Sequence, residues 1–169
     1  MGDDAPGLVI GGRRLVRGRG GGVRLRLPAR ERELLAALAA ELGVRLDDDA
    51  DAPDFARLFP PAYAEDPDDE QDYRALMHEE LLGGKHETIR VFRASLERDA
   101  LTEEELDAWL RVLNDLRLVL GTRLDVTETA FADGLDPRDP DAPDLALYGY
   151  LSWLQEQAVE VAAAGLPGR

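Results

Sequence analysis

The chain has 169 residues, a formal net charge of −15 from 20 Lys plus Arg against 35 Asp plus Glu, 44% apolar residues and no cysteine. That length suits one domain with its own core, and the missing thiols exclude a disulfide framework, a cysteine nucleophile and direct thiol sensing. With no apolar run long enough to span a bilayer and no signal-peptide core before Leu27, the sequence predicts a soluble, cytoplasmic protein, and its net charge opposes long-range attraction to a polyphosphate.

The charge is unevenly distributed. Residues 1–30 hold seven arginines and two aspartates, a balance of +5, so residues 31–169 carry −20. Residues 1–12 are expected to be a flexible tail. Residues 13–27 read as a β-hairpin, because two period-two segments, Arg13 to Arg17 and Val23 to Leu27, flank the turn GRGGG. Val23, Leu25 and Leu27 then face the helices while Arg24 and Arg26 point outward. Arg14, Arg17, Arg19, Arg24 and Arg26 are the candidate anion or nucleic-acid contacts; for the outward Arg24 and Arg26, salt bridges to the protein's own acidic helices, or to a second subunit, are the preferred reading. The glycines do not form a dinucleotide site, since a strand follows them where a pyrophosphate-binding helix is needed.

After Pro28 a helix is predicted from Ala29 to Gly43, with Leu34, Leu35, Leu38 and Leu42 as its stripe and Gly43 as its stop. The segment from Asp47 to Asp54 is an acidic loop. Its Asp47, Asp49 and Asp51 resemble the start of a calcium loop, but Ala52 stands where a glycine is required and Leu58 where a bidentate glutamate is required. RLFPPAY, from Arg57 to Tyr63, is too apolar for a free linker and should pack on the core or a partner. A long helical region follows Pro67, with Tyr73, Leu76, Met77 and Leu81 as one stripe, Ile89, Val91, Phe92 and Leu96 as another, and a kink or a short turn expected at Gly83-Gly84. His78 lacks a second zinc ligand four residues on, where Leu82 stands, and His86 is followed there by Arg90. Both are assigned structural or surface roles, and no metal site is assigned.

The central helix begins at Thr102, which forms a capping-box pattern with Glu105, and Leu106, Trp109, Leu110, Leu113, Leu116 and Leu120 follow at helical spacing up to a closing Gly121. Ion pairs at i, i+4 account for Asp107, Arg111 and Asp115 as surface charges. Asn114 and Arg117 remain as a candidate buried polar site, the latter in an apolar turn where a guanidinium needs oxygen partners or an anionic ligand. Residues 127–141 read as a loop. The last helix, from Asp144 to about Ala163, has one face of Leu147, Tyr150, Leu151, Leu154, Ala158 and Val161; Tyr150 and Trp153 are the candidate interface of a homodimer. Residues 165–169 read as a second tail.

LTEEELDAWLRVLNDLRLVLGTRLDVTE from Leu101, GGVRLRLPARERELLAAL from Gly21 and RLFPPAY together resemble an actinobacterial family, long catalogued as a domain of unknown function, whose members are labelled AosR-like oxidative-stress transcriptional regulators. The resemblance runs from about Arg14 to the last helix. It implies a small cytoplasmic regulator acting through protein partners in transcription, and transfers no catalytic or binding residue. Redox-sensing members are expected to carry a cysteine pair, which this chain lacks. The expected fold is α+β, mostly α, with residues 13–164 as a single domain: an N-terminal β-hairpin packed on a bundle of four to five helices. The expected function is noncatalytic regulation through protein partners, without cofactor, metal or membrane. The alternatives are a DNA-contacting regulator using the arginine hairpin, with weak binding, and a small-anion binder centred on Arg117.

Overall fold

The computed structural model describes residues 11–59, 67–126 and 136–167. The tail expected before residue 11, the 60–63 half of RLFPPAY, the first part of the 127–141 loop and the last two residues lie outside the described residues. The strands β1 (Leu15–Arg17) and β2 (Val23–Leu25) form the expected hairpin, with Leu15 opposite Leu25 and Arg17 opposite Val23. Gly21, at φ +88°, adopts a turn conformation that an L side chain rarely takes. The helices are α1 (Ala29–Asp48), α2 (Pro67–Ser95), α3 (Glu103–Leu124) and α4 (Ala142–Ala164), with a 3-10 turn at Pro53–Phe55. A third strand, β3 (Ala100–Leu101), pairs with β2 in the order β1-β2-β3. Two residues are too few to show an alternation, so β3 has no signature in the sequence. The chain is a mostly helical α+β protein.

α3 is the organising element and packs against α1, α2, α4, β3 and the 3-10 turn. Its start is the expected capping box: the Glu105 backbone N–H donates to Thr102 Oγ1 at 3.1 Å, and Glu105 Oε2 accepts from the Thr102 N–H at 2.8 Å. Each satisfies a donor that the first turn of a helix leaves orphaned. Leu106, Trp109, Val112, Leu113, Leu116, Val119 and Leu120 are all buried. The Trp109 ring lies 4.9 Å from that of Phe92 on α2, and its Nε1 donates to Ser95 Oγ at 2.7 Å. A fully buried indole thereby keeps its one donor satisfied.

Three glycine expectations fail in the same way. α1 runs through Gly43 to Asp48, α2 is continuous through Gly83-Gly84, and α3 runs past Gly121 to Leu124. A glycine costs a helix interior only about 1 kcal/mol, less than burying Leu46 beyond Gly43, or Ile89, Phe92 and Leu96 beyond the glycine pair, returns. α3 instead closes on Asp125, in the left-handed region at φ 50°. Gly121 serves close packing: a Cβ there would lie 3.0 Å from Cε2 of Tyr148 on α4. Gly83 has open space around its missing Cβ. Gly83→Ala is therefore expected to raise stability by about 0.5–1 kcal/mol, whereas in Gly121→Ala the same gain is opposed by the Tyr148 ring. Urea denaturation of both variants checks this; an equal gain at the two positions would contradict it.

Candidate functional site

The most elaborate polar cluster joins the hairpin to α1 and α4. Glu31, buried in the first turn of α1, accepts from Arg14 Nε at 2.9 Å and Arg14 Nη2 at 2.8 Å, one oxygen for each donor, and from the Tyr150 hydroxyl of α4 at 2.8 Å. Gln157, one helical face along α4 from Tyr150, accepts the backbone N–H of Arg14 at 2.7 Å and of Leu15 at 3.3 Å. The Arg14 guanidinium also lies 5.3 Å over the Trp153 ring. The hydrogen bonds to Glu31 raise the Arg14 pKa against the cost of burial. Burial first, and then the bond to Glu31, pushes the Tyr150 phenol well above its ordinary range.

These contacts correct two sequence expectations. Arg14 is no anion or nucleic-acid contact, because its fork is spent on Glu31 and Gly11 O. Arg17 is likewise engaged, by Glu103, the Val161 carbonyl and the Gly21 carbonyl. Pairing with the protein's own acidic helices, the reading preferred for the outward Arg24 and Arg26, is made by Arg14 and Arg17 instead; Arg19, Arg24 and Arg26 are exposed. Tyr150 is not an interface anchor: it is fully buried beneath Glu31, its ring 6.0 Å from that of a half-buried Trp153 packed against the core, with Arg14 over the Trp153 ring. The homodimer expectation thus loses Tyr150 of the two residues offered for it.

Arg117 is half-buried and faces α4, donating from Nε to Ser152 Oγ at 2.9 Å and from Nη1 to Gln155 Oε1 at 2.5 Å, with the Tyr148 ring 5.4 Å away. Half-buried Asn114 takes no part in these bonds. The shallow cleft beside Arg117, about 400 Å³, also holds Glu156 and Glu160, and two carboxylates oppose a bound anion.

Asp115 is a further correction. It is buried, and both of its oxygens accept from Lys85 Nζ on α2, at 2.9 and 2.7 Å, while Arg111 pairs with Asp107 at 2.9 Å. Burial raises the Asp115 pKa, and the Lys85 hydrogen bonds work against that. The pair floors a cleft of about 400 Å³ between α2 and α3 that Met77, Glu80, Leu81, Gly84 and Thr88 also line. Periodicity held the missed signals: Glu31 lies four residues before Leu35, Asp115 three after Val112 and Gln157 three after Leu154, each on a buried stripe. Lys85 is also the one lysine in the sequence. Of the histidines, His78 is exposed, and His86 Nε2 lies 2.8 Å from Asp47 Oδ1, a contact between α2 and the last turn of α1.

Because the folded Tyr150 pKa lies above that of an unfolded tyrosine, about 10, its protonated hydroxyl contributes stability that is complete below that pH and lost as pH rises beyond it. Tyr150→Phe is expected to cost about 1–2 kcal/mol at pH 7. The gap to wild type should then narrow above pH about 10, by at most about 1.4 kcal/mol per pH unit for one proton. Urea midpoints of both proteins from pH 7 to 11 check this; a constant gap would show that the hydroxyl proton does not matter.

Among the described residues, no helix is long and apolar enough to cross a membrane and no group of three or more potential ligands could hold a metal ion. No curated protein and no solved structure matches the chain. A family model described as "Domain of unknown function (DUF2017)" matches residues 13–162, from the start of the hairpin to the last turn of α4. The match takes in the Arg14–Glu31–Tyr150 cluster and the Lys85–Asp115 pair alike, and the chain belongs to this family.

Proposed function

We propose that the protein is a noncatalytic regulator that acts in the cytoplasm through partner proteins, in keeping with the transcription-linked stress regulators its sequence resembles. The observation that carries this reading is the first half of α2. From Asp68 to Gly84 no described residue is buried, Leu76 is 83% exposed and Leu81 38%, whereas from Ile89 onward the same helix sinks into the core. Apolar side chains held out along a helix suit protein contact. The charged groups drawn inside, Arg14 with Glu31 and Lys85 with Asp115, are by contrast occupied in joining elements of the fold. Direct DNA contact is a second reading, favoured by the exposure of Arg24 on β2 and of Arg26 just after it; the −20 carried by residues 31–169 weighs against it.

Affinity capture from the native host with wild type and with Leu76→Glu/Leu81→Glu tests the reading. Wild type is expected to retain a transcription-associated protein that the double variant loses at unchanged circular dichroism. Capture of nothing, or of the same proteins by both, would overturn it. Sequence-selective binding of duplex DNA at physiological salt, abolished by Arg24→Ala/Arg26→Ala, would establish the second reading instead.

A further inference from the structure

We propose that the cleft between α1, α3 and α4 binds a free apolar α-amino acid, its side chain set among leucines and its ammonium and carboxylate among the charges of the rim. No residue of α2 lines this cleft, so the site goes beyond the partner-binding reading and stands or falls apart from it.

The cleft has a volume of about 280 Å³. Its apolar wall is built from all three helices and includes Leu42, Leu116, Leu120 and Leu151, all buried, with the half-buried Leu147 beside them. An apolar cavity of about 150 Å³ admits benzene. This one therefore suits roughly nine to twelve non-hydrogen atoms, the size of leucine or phenylalanine and below that of a nucleotide or a drug-sized ligand.

Charge at the rim decides the ends of the ligand. On each helix a charged liner lies one turn from an apolar one: Arg45 beyond Leu42, Arg123 beyond Leu120 and Asp144 before Leu147, with Glu41 one turn before Arg45. Arg45 is committed within the chain, since its Nη2 donates to Asp54 Oδ2 at 2.6 Å and its guanidinium lies 4.6 Å over the Phe55 ring. Glu41, Arg123 and Asp144 are exposed and, among the described residues, form no ion pair or side-chain hydrogen bond. One cleft thus presents a cation and two carboxylates that do not neutralise one another. A fatty acid would set its carboxylate against Glu41 and Asp144, an alkylamine would set its ammonium against Arg123, and a hydrocarbon would satisfy none of the three. A zwitterion answers both signs at once, its carboxylate on the Arg123 fork and its ammonium between the two acids. Because such a ligand touches α1, α3 and α4 together, its binding stabilises the native state increasingly with concentration.

Isothermal titration calorimetry of the full chain with single amino acids tests the proposal. At least one of L-leucine and L-phenylalanine is expected to half-saturate the protein at or below about 1 mM and to raise its melting temperature as its concentration rises. The deaminated and the decarboxylated relatives of that amino acid keep the side chain but lose one charge, and should bind about tenfold or more weakly; glycine, which has no side chain, should not bind. Arg123→Gln and Asp144→Asn, changes at exposed positions, should each weaken binding about tenfold at unchanged circular dichroism. No binding of either amino acid at about 10 mM overturns the proposal, as does an affinity unmoved in both charge variants or matched by the decarboxylated relative. Equal binding of the amino acid amide overturns it as well, because the occupant would then be the amino-terminal residue of a peptide.

Discussion

A carboxylate cannot leave water without partners, and Glu31 is the point at which this constraint organises the molecule. It has three hydrogen bonds, two from Arg14 and one from Tyr150, and these come from opposite ends of the chain. Once Glu31 is buried, the hairpin must lie where Arg14 can reach it and α4 must be turned so that Tyr150 faces inward. Gln157 completes the arrangement by accepting the two backbone donors at the start of β1. The hairpin is bound to the helices through this polar clasp as well as through Leu15, Val23 and Leu25, and the clasp specifies register where apolar contact alone would tolerate sliding.

A second pair applies the same rule elsewhere. Lys85 and Asp115 join α2 to α3 at the level where α2 leaves the core. Below it, Ile89, Phe92 and Leu96 bury against the fold and Trp109 meets Phe92 and Ser95. Above it, α2 continues without burying a described residue. The cost of leaving Asp115 unpaired holds the helix at this junction, so that the exposed half projects from a fixed base.

Electrostatic asymmetry has a comparable physical basis. The N-terminal excess of arginine is partly consumed inside the fold, because Arg14 and Arg17 reach Glu31, Glu103 and backbone carbonyls. Arg24, on the face of β2 opposite the buried Val23 and Leu25, and Arg26, just after the strand, stay exposed. The acidic remainder is spread over the helices and is dense at the start of α2. The molecule therefore presents exposed arginines at the hairpin and an acidic helical surface.

Local pattern by itself determined the hairpin, the helical content, the capping box at Thr102 and most of the leucine core, because each of these follows from side-chain period or from contacts within four residues. It also marked Tyr73, Leu76, Met77 and Leu81 as a stripe. Only tertiary structure decided that Leu76 and Leu81 stay exposed while the stripe of α4 is sandwiched, since exposure depends on which elements arrive from far along the chain. The same holds for β3, whose two residues become a strand only because β2 offers them a partner. Gly43, Gly83, Gly84 and Gly121 read locally as helix ends, but packing beyond each outweighs a penalty of about 1 kcal/mol. Glu31, Asp115 and Gln157 stood in plain view on buried stripes, yet their partners lie 17 to 143 residues away, and a polar residue's role is set by the donor or acceptor that folding brings to it.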